Sequence, residues 1–241
     1  MISILKDKHE ISVAAADIFV KAAKAAIQEK DSFTVALTGG SSPAELYALL
    51  AASPYKEQVD WEKVYIFWGD ERWVPLDDER SNARMAAETL LDHVPIPKTQ
   101  IHPMWADVED PEKFAQYYEQ LLRRILGPSA SFDLILLGMG DDGHTASLFP
   151  GKPVLYEKDK WVTTYYLTEQ SMVRITLTAP LINQAKKIVF VLFGAGKAPA
   201  LYEVLEGERN FEKYPSQLIQ PAVGEAIWLV DEAAAAKLSN K

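Results

Sequence analysis

The densest group of chemically capable residues lies in one segment, where Asp141, Asp142 and His144 stand among the glycines that follow an apolar run. An imidazole can take up or release a proton near neutral pH, and a neighbouring carboxylate can orient it. The apolar run over 134–137 lacks polar alternation, which predicts a strand covered on both faces. Ligands bind at the carboxyl ends of such strands, so this segment is the best candidate for a catalytic base.

The same segment matches the G-x-G-x-x-G fingerprint of dinucleotide-binding proteins at Gly138, Gly140 and Gly143. That fingerprint also requires a long helix whose N-terminus holds a pyrophosphate. Pro150 and Gly151 would stop any helix about two turns after Gly143, and the Asp–Asp pair would face the phosphates. We therefore expect no nicotinamide cofactor here.

A second candidate site spans 36–43, with the sequence Ala-Leu-Thr-Gly-Gly-Ser-Ser-Pro. Backbone N–H groups, hydroxyls and a helix N-terminus would together bind an anion there, through Thr38, Gly39, Gly40 and Ser41. The P-loop spacing with its terminal Gly-Lys-Ser/Thr is missing. Ser42 is the predicted N-cap of the next helix, with Glu45 completing a capping box. The alternative to an anion site is an ordinary strand-to-helix turn whose serines only cap this helix.

Charged residues lie at three further predicted strand ends or starts. Asp70, Glu71 and Arg72 follow one strand, where the arginine could bind a phosphate or stabilise an oxyanion. A solvated charged turn with its own salt bridge is the alternative. Arg174 and Lys197 are surface residues if judged alone, but their positions beside predicted strands favour phosphate contact.

Helix and strand patterns alternate along the chain. Strands are predicted over 33–37, 64–68, 133–138, 173–178, 188–193 and 226–230, and helices over 8–29, from 42, 81–91, 110–127, 197–205 and 231–238. Such alternation predicts an α/β fold, a mostly parallel sheet with helices on both faces. Without a repeat or a convincing linker, we expect a single domain over 1–241.

Composition excludes several classes of protein. Lys and Arg number 25 against 34 Asp and Glu, a net charge of −9, which argues against nucleic-acid binding. Cysteine is absent and no paired-histidine spacing occurs, so we expect no metal site. No apolar stretch is long enough to cross a membrane, and the charged N-terminus does not resemble a signal peptide, which predicts a cytoplasmic protein.

Three segments together, Thr38–Pro43, Asp70–Pro75 and Gly138–Gly151, resemble the 6-phosphogluconolactonase family. The resemblance covers nearly the whole chain in the right order. It implies a Rossmann-like three-layer α/β core, shared with glucosamine-6-phosphate deaminases. It also implies hydrolysis of 6-phospho-D-glucono-1,5-lactone in the oxidative pentose phosphate pathway, without a cofactor and by a monomer or small homo-oligomer.

The resemblance suggests a role for each candidate residue. His144 would take the proton of the attacking water, Asp142 would orient His144, and Arg72 would stabilise the developing oxyanion. The phosphate would be bound by Thr38, Gly39, Gly40, Ser41, Arg174 and Lys197, with Asp70 among the substrate-binding residues. The division of roles between Arg72 and Arg174 stays open.

Two alternatives remain. An aminosugar-phosphate isomerase or deaminase resembles this chain at Asp-Gly-His, but carries Glu where Phe149 stands and Tyr where Arg72 stands. A non-catalytic sugar-phosphate sensor would have no use for a positioned base beside Arg72.

Overall fold

A computed structural model describes residues 1–40, 42–129 and 131–239. Within them, six strands form a parallel sheet in the order β1-β9-β8-β5-β2-β3. The strands of this sheet are β1 (Ile2–Leu5), β2 (Phe33–Leu37), β3 (Val64–Trp68), β5 (Leu134–Leu137), β8 (Lys187–Leu192) and β9 (Glu225–Asp231). Every residue of β2 and β5 is buried. Because successive side chains point to opposite faces, both faces of the sheet are covered, which confirms the predicted α/β class.

The helices begin and end at residues with a local reason to do so. They are α1 (Lys8–Lys30), α2 (Ala44–Leu50), α3 (Asn82–Thr89), α4 (Pro111–Leu126), α5 (Ala179–Ile182) and α6 (Ala198–Leu205). The carboxylate of Asp110 accepts hydrogen bonds from the N–H groups of Glu112 and Lys113, and Gly127 ends α4 with a positive φ of 66°. The prediction of a helix between Asp110 and Gly127 is confirmed.

The chain leaves β2 and β5 in opposite directions across the sheet. From β2 it continues to β3 at one edge, whereas the next strand of this sheet after β5 is β8, on the other side. Neighbouring strands whose connections diverge leave a crevice at their carboxyl ends. The segments beginning at Thr38 and Gly138 both start at this crevice.

A second sheet, of three antiparallel strands, was not predicted. It has the order β4-β7-β6, with β4 at Asp70–Arg72, β6 at Val162–Leu167 and β7 at Met172–Leu177. The strand predicted over 173–178 is real, but it belongs to this sheet and not to the parallel one. Its register sets Arg72 directly opposite Arg174.

Two local predictions are wrong. Helix α2 has Pro43 in its cap position without a side-chain hydrogen bond, so Ser42 does not cap it, and the Glu45 carboxylate instead lies 2.8 Å from His9 Nδ1. Residues 232–237 form turns where a helix was predicted. There the carboxylate of Asp231 accepts a bond from Ala234 N–H at 2.7 Å, an alternative to helical bonding.

Candidate active site

A cavity of about 300 Å³ lies at the crevice between the two sheets. Most of the predicted site residues line it: Thr38, Gly39, Gly40, Asp70, Arg72, His144, Arg174 and Lys197. Asp142 contacts the His144 ring without lining the cavity, and Ser41 falls outside the described residues. Sequence reasoning missed several lining residues: Asn82, Met139, Thr145, Ala146, Phe149 and Gln170. Four of these, Met139, Thr145, Ala146 and Phe149, lie in the Gly138–Gly151 segment that carries the family resemblance, but no role was predicted for their side chains. Asn82 and Gln170 stand outside every predicted motif, and the fold brings them to the cavity.

His144 is held by a carboxylate through its ring. The Nδ1 atom lies 2.6 Å from Asp142 Oδ1, and the backbone N–H of His144 donates to the same oxygen at 3.1 Å. Partial burial raises the pKa of the Asp142 carboxyl, but the hydrogen bonds and charge of His144 outweigh it, so that pKa lies below its usual value. An ionised carboxylate only accepts, so in the neutral form of the imidazole Nδ1 carries the proton and Nε2 has the free lone pair.

The His144 ring lies against Phe149 and close to Gly140. Its centroid lies 3.9 Å from that of Phe149, with the rings inclined by 19°. On Gly140, a Cβ atom would lie 2.1 Å from His144 Nδ1, so a side chain there would displace the imidazole. The glycine at 140 therefore makes room for the base. No helix occurs over 138–150, which leaves the dinucleotide fingerprint without the structure it requires.

Two arginines meet on the small sheet beside this loop. The side chain of Arg174 is almost fully buried, with Nη1 3.9 Å from Asp70 Oδ2 and Nη2 donating to the side-chain oxygen of Gln170. Arg72 Nη1 donates to the carbonyl of Arg80 at 2.6 Å. Among the described residues, neither guanidinium Nε has a hydrogen-bond partner, although both atoms are buried. Burial lowers the pKa of Arg174, Asp70 opposes that shift, and Arg72 adds to it. An anionic ligand between the arginines would relieve this repulsion.

Glu71, between Asp70 and Arg72, has a structural role. It is fully buried, and its carboxylate accepts from the N–H groups of Asn82 and Ala83 at 2.8 Å each. Burial raises the pKa of Glu71 and these backbone bonds oppose the shift. The alternative of a solvated charged turn is therefore wrong. Glu71 satisfies the N-terminus of α3 and fixes the strand from which Arg72 extends.

The Asp70 carboxylate also has partners within the protein. Ser147 Oγ donates to its Oδ2 at 2.6 Å, and the same oxygen is the one near Arg174. The carboxylate therefore ties the segment after β5 to the small sheet and neutralises part of the arginine charge. Its predicted contact with substrate is not tested by this arrangement, although Asp70 lines the cavity.

The segment after β2 differs in detail from the predicted anion cradle. The Tyr47 hydroxyl accepts from Thr38 N–H at 3.0 Å and donates to Thr38 C=O at 2.8 Å. The Thr38 N–H therefore already has an acceptor, and only the side chain of Thr38 remains available to a ligand. Burial raises the pKa of Tyr47, which keeps this hydroxyl protonated. Gly40 has a φ of 81°, a conformation that glycine adopts without strain.

Lys197 reaches the cavity from the opposite side, before α6. Its Nζ lies 2.7 Å from Asp141 Oδ1, so the cation stands beside the loop that carries His144. The loop before it is held by Gly194 N–H, which donates to the Asp231 carboxylate at 3.0 Å. The cavity thus combines a base with three cations, in a protein of net negative charge.

Known proteins resemble this chain over most of its length. The family described as glucosamine-6-phosphate isomerases/6-phosphogluconolactonase matches residues 6–228. The chain belongs to this family. A protein named 6-phosphogluconolactonase from Synechocystis sp. is 46% identical over 217 residues, covering 88% of each chain. Another of that name, from Nostoc sp., is 40% identical over 242 residues, covering 99% of this chain and 98% of its own.

Solved structures are similar to this chain as well. The structure of 6-phosphogluconolactonase from Trypanosoma brucei matches with a TM-score of 0.86 and 28% identity, covering 99% of this chain and 98% of its own. The family resemblance predicted from three segments of the sequence is thereby confirmed. Over the described residues, no helix is long and apolar enough to cross a membrane. Within the same residues, no group of three or more His, Asp or Glu side chains could hold a metal ion.

Proposed function

We propose that this chain hydrolyses 6-phospho-D-glucono-1,5-lactone to 6-phosphogluconate, the lactonase step of the oxidative pentose phosphate pathway. The observation that carries the proposal is the oriented imidazole of His144 in a cavity that also holds buried guanidinium groups. The named relatives of this family confirm the predicted class of lactone hydrolase.

The base of the reaction is Nε2 of His144. With Nδ1–H donated to Asp142, Nε2 can accept a proton from a water molecule as that water attacks the lactone carbonyl carbon. The imidazolium that forms is stabilised by the Asp142 carboxylate. It then returns its proton to the ring oxygen as the C–O bond breaks, so the imidazole is neutral again at the end of the cycle.

The carbonyl oxygen becomes negative during attack and needs a donor. We assign this role to Arg72, whose position on β4 is fixed by the buried Glu71 and whose Nε lacks a partner among the described residues. A preorganised donor of this kind contributes about 3–4 kcal/mol to transition-state stabilisation. Because a lactone is already an activated ester, this donor and one base are sufficient, without a covalent nucleophile.

The phosphate of the substrate requires donors of its own. We assign it to Arg174 and Lys197, together with the Thr38 side chain and the backbone of Gly39 and Gly40. Arginine and lysine are both suited to phosphate, the first by its fork of donors and the second as a point charge. Ser41, also predicted here, awaits a test by mutation.

The direct experiment is a pH-stat or coupled assay on freshly prepared 6-phosphogluconolactone, corrected for spontaneous hydrolysis. We expect rapid hydrolysis of the lactone and no release of ammonia from glucosamine 6-phosphate. Ammonia release without lactone hydrolysis would establish the deaminase alternative. Binding of sugar phosphates with neither reaction would establish the sensor.

We also propose a cytoplasmic location and a monomer or small homo-oligomer, as the sequence predicted. Light scattering during size-exclusion chromatography measures the oligomeric state directly. Cell fractionation with an antibody against the chain tests the location.

A further inference from the structure

Phe149 lies between the base and the phosphate-binding part of the site. Its ring stacks on His144 with centroids 3.9 Å apart, and the Arg174 guanidinium carbon lies 5.7 Å from the same centroid. The side chain is nearly buried and lines the cavity. A phenylalanine has no group that can transfer a proton or bind phosphate, so any effect it has must act through its neighbours.

The contacts of His144 show how Phe149 can affect the base. Asp142 holds the ring at one atom, Nδ1, and a hydrogen bond at one atom leaves the plane of the ring free to tilt. Gly140 lies close to Cε1, since a Cβ there would be 2.3 Å from that atom, but it has no side chain that could pack on the ring. The near-parallel ring of Phe149 stacks on the imidazole and supplies the contact that sets its plane.

We propose that Phe149 is a positioning residue that fixes the plane of His144 and thereby the direction in which Nε2 points into the cavity. The inference rests on the proposed function, in which Nε2 is the base. A displacement of about 1 Å at a reacting group costs up to about 100-fold in rate, so a small tilt is sufficient to matter. Arg174 is held independently by Asp70 and Gln170, so losing the ring leaves phosphate binding largely intact.

Nuclear magnetic resonance tests the stacking without any substrate. The ring current of a stacked phenylalanine moves the Cε1–H resonance of His144 upfield. We expect this shift in the wild type and in Phe149→Tyr, which keeps the ring, and its loss in Phe149→Leu. The same resonance position in wild type and Phe149→Leu would show that the rings do not stack in solution, and would overturn the proposal.

A double-mutant cycle then tests whether Phe149 acts through His144. Phe149→Leu should lower kcat about tenfold, with KM changed less than threefold, and Phe149→Tyr should restore most of the rate. In the His144→Asn background, Phe149→Leu should change the residual rate less than twofold, because no imidazole remains to be positioned. Phe114→Leu is the matched control, since Phe114 is equally buried (9% exposed) but lies on α4 outside the cavity.

The outcomes separate this inference from the proposed function. A wild type that does not hydrolyse the lactone contradicts the function itself. An active wild type in which Phe149→Leu costs the same factor with and without His144 contradicts only the positioning role, because a purely structural effect is additive. If circular dichroism shows Phe149→Leu to be unfolded, Phe149→Met, which keeps similar volume without a ring, takes its place in the cycle under the same criteria.

Discussion

Replacing His144 by asparagine removes three things at once: the proton acceptor Nε2, the ring bonded to Asp142 and the stack on Phe149. The consequences for stability are small. The Asp142 side chain is 49% exposed, so water can replace its lost partner. An aromatic stack is worth about 0.5–1.5 kcal/mol, and we therefore expect the free energy of unfolding to fall by about 1 kcal/mol.

The consequence for catalysis is larger. General-base catalysis contributes typically about 10²–10⁴ in rate, and a fall of about 10² in kcat corresponds to about 2.7 kcal/mol in the activation free energy. The variant should therefore stay folded and bind 6-phosphogluconate about as well as the wild type, while kcat falls at least about 100-fold. In the wild type, kcat/KM should fall towards acid pH because an imidazolium cannot accept a proton.

The assay is lactone hydrolysis at high enzyme concentration, with the spontaneous rate subtracted and thermal unfolding followed in parallel. His93→Asn is the matched control, since His93 is an exposed histidine outside the cavity. It should leave kcat unchanged. A folded His144→Asn enzyme within a few-fold of the wild-type kcat would refute the base assignment, and a large loss of stability with little change in kcat would give His144 a structural role.

Three further predictions concern the same site. Arg174→Ala and Lys197→Ala should mainly raise KM. Gluconolactone without a phosphate should lose several kcal/mol of transition-state binding, measured as a lower kcat/KM. Equal turnover of both lactones would contradict the phosphate assignment. Exhaustive treatment with EDTA should leave activity intact, and a loss restored only by a divalent ion would reveal metal ligands among the acidic loops. Because the pKa of Asp142 is lowered in the fold, its contribution to stability is present above the unfolded-state value near 4 and is lost as pH falls below it. Acid unfolding of Asp142→Asn should lack that component, and an identical pH profile would contradict it.

Local signals in the sequence were sufficient for most of the parallel sheet. The unbroken apolar run of β5 and the stop at Gly127 each depend on a few adjacent residues, and both were predicted from them. The position of His144 after β5 followed from the same reasoning, because the carboxyl end of a buried strand is a property of the fold class.

The remainder of the site depends on contacts between distant segments, which no local pattern encodes. From the sequence, Glu71 could be part of a charged turn. Only the fold shows that the N-terminus of α3 packs over its carboxylate. Phe149 was recognised only as the position where the deaminases carry a glutamate, and nothing local showed that its ring would stack on His144. The small antiparallel sheet was missed because its first strand, β4, has only three residues, all of them charged.

The pairing of Arg72 with Arg174 joins two parts of the chain that lie about a hundred residues apart. During synthesis on the ribosome, the crevice between β2 and β5 can form before Arg174 has been made. Arg174 joins the wall of the cavity only through the pairing of β7 with β4, which lies far earlier in the chain. A chain that ends before Arg174 therefore carries the candidate base but lacks two of the three cations that line the cavity, Arg174 and Lys197.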